Sequence, residues 1–223
     1  MNPSEQLKHT YSILKNETWL PTPLLPSRIG HRLNSEIWLK REDCSPVGSF
    51  KLRGGLTAMS SNKHILRNTP VYVASAGNYG LAIAEAGRRF GVDVTVFVSK
   101  NANPSKIRCI LDTGASVICH GKDFDEAKEH GKKTAMKDHA NFWEDGVVAE
   151  MSYGAATIAD ELLNTNIDWD IVLVPIGNGS LIKGISSLFK EIKPTTKIIG
   201  LVSSGAPVMQ KAITGQKFDI NES

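Results

Sequence analysis

The chain has 223 residues, a formal charge of +3 and a charged-residue content of 22%, which places it among one- or two-domain globular proteins long enough to bury a core. Such a small, evenly spread charge gives no reason to expect nucleic acid as a partner, and no apolar run reaches the roughly 18 residues a membrane helix needs. Three cysteines without paired spacing (Cys44, Cys109, Cys119) and the polar opening Met1-Asn2-Pro3-Ser4-Glu5 argue against a disulfide framework, a zinc site and a secretory leader, and so predict a reducing cytoplasm.

In chain order, Pro3 and Ser4 open a helix to about Leu14, and proline-rich 18–26 predicts extended backbone. Residues 37–40 read as a strand and 50–61 as a helix. The pattern then becomes regular: strand 71–74, helix from about 79 to 90, strand 92–98, and a helix capped by Asn103, with Pro104 in its first turn, that stops before Gly114. A strand at 116–119 and a polar amphipathic helix at 124–139 follow. A second alternating series has helix 157–164, strand 171–176, helix 181–192 and strand 197–202. Near-continuous Val/Ile/Leu strands alternating with helices predict parallel sheets covered on both faces.

The chemistry concentrates in three stretches. In Gly48-Ser49-Phe50-Lys51-Leu52-Arg53-Gly54-Gly55, a lysine at a helix start is held out of bulk water behind a tight turn and a bulky Phe50. Desolvation and the positive end of the helix dipole both disfavour its charged form, and lysines of this type form Schiff bases with carbonyl compounds. Gly177-Asn178-Gly179-Ser180-Leu181 follows an apolar strand and opens a helix, so its backbone N–H groups suit a phosphate dianion. Asn178 tolerates positive φ there, and Ser180 adds a hydroxyl donor. Ser75-Ala76-Gly77-Asn78-Tyr79-Gly80 also joins a strand to a helix, whose N-terminus suits a carboxylate. Taken singly, these residues have plainer readings: a surface lysine, a core aromatic for Phe50, an ordinary Gly/Asn turn. The six histidines have no ligand spacing, no metal is expected, and Cys44 reads as a buried structural thiol.

Together and in this order, the three stretches resemble the fold-type II pyridoxal-phosphate enzymes, the group of serine/threonine dehydratases, serine racemases and threonine synthases. The resemblance runs from Thr22 to about Gly215. It implies an α/β fold class with two parallel-sheet three-layer αβα domains of the tryptophan synthase β type. Residues 1–69 and 145–223 would form the larger domain and 70–144 a smaller, mobile one, with pyridoxal 5'-phosphate between them. It implies Lys51 as the Schiff-base lysine and carrier of the Cα proton, Phe50 packed near the cofactor ring, and Asn78 beside its phenolic oxygen. Gly177, Asn178, Gly179, Ser180 and Leu181 would surround the phosphate, where the group usually carries four glycines. Ser75, Ala76, Gly77, Asn78 and Tyr79 would hold the carboxylate of a small amino-acid substrate.

The activity so implied is dehydration of L-threonine or L-serine to a 2-oxo acid and ammonia. Threonine synthase-like replacement, racemisation and a non-catalytic binding remnant are the alternatives. No role carries over to Glu150 or Tyr153, which lie where the group has an active-site loop ahead of a helix. Relatives continue past the equivalent of Ser223 with further strands and a hydroxyl or thiol facing the pyridine nitrogen. The larger domain is therefore expected to be incomplete, the chain to be either a homodimer or only marginally stable as a monomer, and its activity to be weak or absent.

Overall fold

A computed structural model describes residues 3–17, 19–205 and 207–215; Thr18, the first residue of the stretch expected to be extended, lies outside these. Helix α1 (Pro3–Asn16) leads into an antiparallel ribbon of β1 (Leu24–Pro26) and β2 (Trp38–Lys40), separated by the single-turn helix α2 (Gly30–Leu33). This ribbon departs from the all-parallel expectation, because its strands are three residues long and joined by a short connection rather than a crossover helix. Cys44 ends a short 3-10 turn and is exposed, not buried; Cys109 and Cys119 are exposed as well.

The regular part begins with α3 (Lys51–Ser61), β3 (Val71–Ala74), α4 (Asn78–Phe90), β4 (Val94–Val98), α5 (Pro104–Leu111), β5 (Ser116–Cys119), α6 (Phe124–Lys137) and β6 (Asn141–Trp143). β-Branched and aromatic residues make β3 and β4 strand-prone, and the four strands pair in parallel in the order β5-β4-β3-β6. Asn103 caps α5 through Ser105 N at 2.9 Å with Pro104 in the first turn, as its sequence predicts. On α6, Ala127, Gly131 and Ala135 recur every fourth residue and are buried, a small-residue stripe that lets the helix lie close on β3 and β4. Strand β6, only three residues long, has no counterpart in the sequence reading.

The second series is α7 (Glu150–Leu163), β7 (Ile171–Pro175), α8 (Ser180–Ile192), β8 (Lys197–Leu201) and α9 (Val208–Thr214). Helix α7 starts seven positions before the expected 157, so Glu150 and Tyr153 belong to its opening turns, not to a loop. Strands β7 and β8 form a parallel pair that α8 packs against, yet Ile171, Leu173, Ile199 and Leu201 remain exposed. The expected burial on both faces is therefore met by β3 and β4 but not by this pair.

Helices α4, α3, α7 and α8 pack in succession between the four-stranded sheet and the β7–β8 pair. The α3–α7 contact is backbone on backbone: a Cβ on Gly154 would sit 2.3 Å from Gly54 N. Gly54 and Gly55, just after Lys51, thus pack the start of α3 tightly against its neighbours. Met151 of α7 belongs to the core under the large sheet and Ile158 to the core beneath β7, so one helix ties both together.

Candidate active site

Lys51 is the first residue of α3. Ahead of it, Ser45 Oγ donates to Ser49 O at 2.7 Å and accepts from Ser49 N at 2.9 Å, and Gly48 turns with φ +67°. This closed loop delivers Phe50 and Lys51 to the wall of a cavity of about 530 Å³. The lysine side chain is 14% exposed, and its Nζ lies 5.3 Å from the Phe50 ring centroid and 5.6 Å from that of Tyr79.

The sequence reading considered only burial and the helix dipole at this amine and named no acid beside it. Instead, both carboxylate oxygens of Asp145 accept from Lys51 Nζ, at 2.8 and 3.0 Å. Asp145 follows β6 by two residues, and Gly146 after it turns with φ +86°. Its signal was present in principle: an acid beyond the carboxyl end of a parallel strand stands where open α/β sheets bind ligands. The three-residue β6 gave no periodicity by which to place it.

Of the predicted residues, Phe50, Lys51, Asn78, Gly177, Asn178, Gly179 and Leu181 line this one cavity. Ser180 is buried, and its N–H and hydroxyl both donate to Asn178 Oδ1, at 3.2 and 3.0 Å. Its hydroxyl therefore braces the turn. Ser75, Ala76, Gly77 and Tyr79 are not among the lining residues. Ser75 Oγ accepts from Gly77 N at 3.1 Å, and Tyr79 is 2% exposed with no hydrogen-bond partner for its hydroxyl. Burial, then the nearby charges of Asp145 and Glu144, push the Tyr79 phenol well above its ordinary pKa and keep it neutral.

Two helix N-termini meet the cavity. Gly179 is the N-cap of helix α8, and its φ of +92° is open to glycine and costly for a β-branched residue. Among the described residues, the N–H groups of Gly177, Asn178 and Gly179 make no hydrogen bond. Helix α4 has no side-chain cap, which leaves its first-turn N–H groups without internal partners. The neighbouring acids are already engaged: Glu42 by Arg53, Asp43 by Arg41 and Asp145 by Lys51. Orphaned N–H groups on a glycine turn, an uncapped second helix and a half-buried amine fit a phosphate-bearing aldehyde together with a carboxylate ligand.

Residues 16–223 match the family described as pyridoxal-phosphate dependent enzymes. The chain belongs to that family. It is 33% identical over 201 residues to the biosynthetic L-threonine dehydratase of Haemophilus influenzae, covering 89% of this chain and 39% of that protein. It superposes on the processed form of threonine deaminase isoform 2 from Solanum lycopersicum with a TM-score of 0.89 at 30% identity, over 96% of this chain and 60% of that one. A pyridoxal 5'-phosphate-dependent aspartate racemase gives a TM-score of 0.88 at 26% identity, over 98% and 68%. The fold is thus that of the type II group, and the chain spans about two fifths of the dehydratase it matches. No described helix is long and apolar enough to cross a membrane.

Beneath the site lies a network that the sequence reading did not foresee. Arg53, fully buried, donates to Glu42 at 3.0 and 2.9 Å, to Glu161 at 2.5 and 2.9 Å, to Thr157 at 2.7 Å and to Thr22 at 3.2 Å. Lys40 adds a second cation on Glu161 at 2.5 Å. Partners from β2, the turn after it and α7 thereby fix the start of α3.

Proposed function

We propose that this chain carries the cofactor-binding core of a pyridoxal-phosphate lyase that dehydrates L-threonine or L-serine and releases a 2-oxo acid and ammonia. The observation that carries this reading is the convergence of one half-buried lysine and two uncapped helix N-termini on a single cavity. The dehydratase and deaminase among its relatives supply the substrate class. When bound, the cofactor supplies an aldehyde for the substrate amine and a ring that withdraws electrons from Cα.

The chain's own residues then have separate tasks. Lys51 holds the cofactor and moves the proton at the substrate Cα. The N–H groups of Gly177, Asn178 and Gly179, with Leu181 and the α8 N-terminus, bind phosphate, while Ser180 braces them through Asn178. Asn78 orients the ring and Phe50 packs beside it. The turn of Ser75, Ala76, Gly77 and Tyr79 presents the α4 N-terminus to the substrate carboxylate. On this reading residues 1–69 and 145–223 form the larger unit and 70–144 the smaller, mobile one. In support, the four-stranded sheet takes every strand from between Val71 and Trp143. The chain would act in a reducing cytoplasm, which suits three exposed free cysteines. It would pair as a homodimer, for which exposed Leu173 and Leu201 offer apolar surface.

The test is borohydride reduction with pyridoxal phosphate, followed by turnover of threonine, serine and phosphohomoserine. Pyridoxyl mass on the Lys51 peptide with 2-oxo acid release is the expected result; label on another lysine overturns the assignment. The racemase likeness favours a second reading. Inversion at Cα without 2-oxo acid would select it.

A further inference from the structure

Resting on that reading of Lys51, we propose that Asp145 is the positioning residue for the lysine amine: its carboxylate grips Nζ against the cavity wall, and replacing it changes how uptake of an aldehyde by that nitrogen depends on pH. The contact is two-pronged, at 2.8 and 3.0 Å, and half-shielded, with side chains 14% and 29% exposed. Phe50 and Tyr79 place their rings within 6 Å of the amine and confine it laterally.

Asp145 is the acid committed to this task. Adjacent Glu144 is taken by Lys128 and Lys132, Glu42 by Arg53 and Asp43 by Arg41. Its loop is tied down by Val147 N on Glu144 O at 3.1 Å. It also abuts the phosphate-binding turn, since a Cβ on Gly146 would come within 3.3 Å of Asn178 Cβ. A shift of Asp145 is thus felt at both the amine and the anion site.

The chemistry requires such control. An ammonium must give up one proton before its nitrogen can add to an aldehyde carbon. The nitrogen then loses its two remaining hydrogens as the carbonyl oxygen leaves as water, and a C=N bond replaces C=O. A carboxylate in direct contact interacts with the ammonium and not with the neutral amine, so replacing it alters the balance between the two. The other titratable groups around the amine are Tyr79 from α4, Glu144 from the same loop, and Lys40, Glu42 and Asp43 among the residues that line the cavity. The 177–181 turn contributes none. Asp145 alone among them touches Nζ.

The experiment follows covalent capture of pyridoxal 5'-phosphate by the full chain, trapped with borohydride at timed intervals between roughly pH 6 and 10 and read as pyridoxyl mass on the Lys51 peptide. In Asp145→Asn the midpoint of the rate profile should move down by about one pH unit, with about tenfold more rapid capture at neutral pH. Loss of repulsion toward the phosphate raises the whole curve without moving its midpoint, so the midpoint is the measure. Asp145→Glu should restore the wild-type midpoint, and Asp145→Ala provides the same comparison as the amide if the amide disturbs the loop. A merely structural Asp145 would lower capture at every pH and leave the midpoint in place. Lys51 labelled with coincident midpoints overturns the role of Asp145 alone; label on another lysine in the wild type overturns it together with the cofactor assignment.

Discussion

Lys51 and Arg53 stand two residues apart on α3, roughly 200° around the helix, and the two cations have opposite surroundings. Lys51 faces a cavity and has one carboxylate partner across a half-shielded contact. Arg53 points into the protein, is fully buried and is matched by two carboxylates and two threonine hydroxyls. A single partner can be exchanged for a ligand at small cost, whereas a multiply held cation cannot leave without stranding buried charge. One helical turn therefore carries both a reactive amine and the clamp that fixes its position.

If that contrast is right, the two residues should fail differently when replaced. Lys51→Ala should abolish pyridoxyl labelling of its peptide and lower lyase turnover by about 10³-fold, while urea unfolding shifts by less than about 1 kcal/mol. Arg53→Met should do the reverse and lower stability by about 3–5 kcal/mol, because Glu42 and Glu161 are left without their buried counter-charge. Exchanging all three together for apolar residues should recover part of the loss, as measured by the urea midpoint. Equal stability losses for the two single variants would erase the distinction.

The glycine turn should behave like Lys51 and not like Arg53. A β-branched side chain at Gly179, where φ is +92°, costs about 1–3 kcal/mol in strain and crowds the orphaned N–H groups. Gly179→Val should thus weaken pyridoxal phosphate binding by about 10- to 100-fold, with unfolding affected less than in Arg53→Met. Isothermal titration alongside urea unfolding measures both; unchanged affinity would place the phosphate elsewhere.

What could be read from sequence follows how local the signal is. Strand β3, strand β5 and the Asn103-Pro104 start of α5 were found because β-branched runs and caps act over a few neighbours. Lys51, Asn78 and the turn at Gly177 to Leu181 were singled out by their own loops and by the resemblance those loops carry, and all but Ser180 of them line one cavity. Asp145 and the Arg53 partners Glu42, Thr157 and Glu161 were not, since pairing across as many as 108 positions leaves no local mark. Strands β3 and β7 show the same limit from another side. Both are apolar runs, yet only β3 is sealed, because burial depends on what the rest of the chain lays over a strand.

The smallest expected effect concerns acid, and it separates the two cations without touching the cavity. Burial raises the pKa of Glu161, but the hydrogen bonds and charge of Arg53, then of Lys40, outweigh it and hold the carboxyl below the ordinary glutamate value, about 4.3. A carboxyl whose folded pKa is depressed contributes stability that is fully present above its unfolded value and is lost as pH falls through the folded one. Wild-type stability should therefore fall on acidification below about pH 4.3. Arg53→Met, lacking the main source of that depression, should lose less over the same interval, so the two curves converge toward low pH. Some slope should remain in the variant, since Lys128 and Lys132 hold down Glu144, and Arg88 and Arg89 hold down Glu85. Urea midpoints recorded from about pH 6 to pH 3 read this directly. Parallel curves would mean that the buried network adds no pH-dependent stability and that Arg53 serves only to fill space beside Trp19, whose ring centroid lies 4.7 Å from its guanidinium carbon.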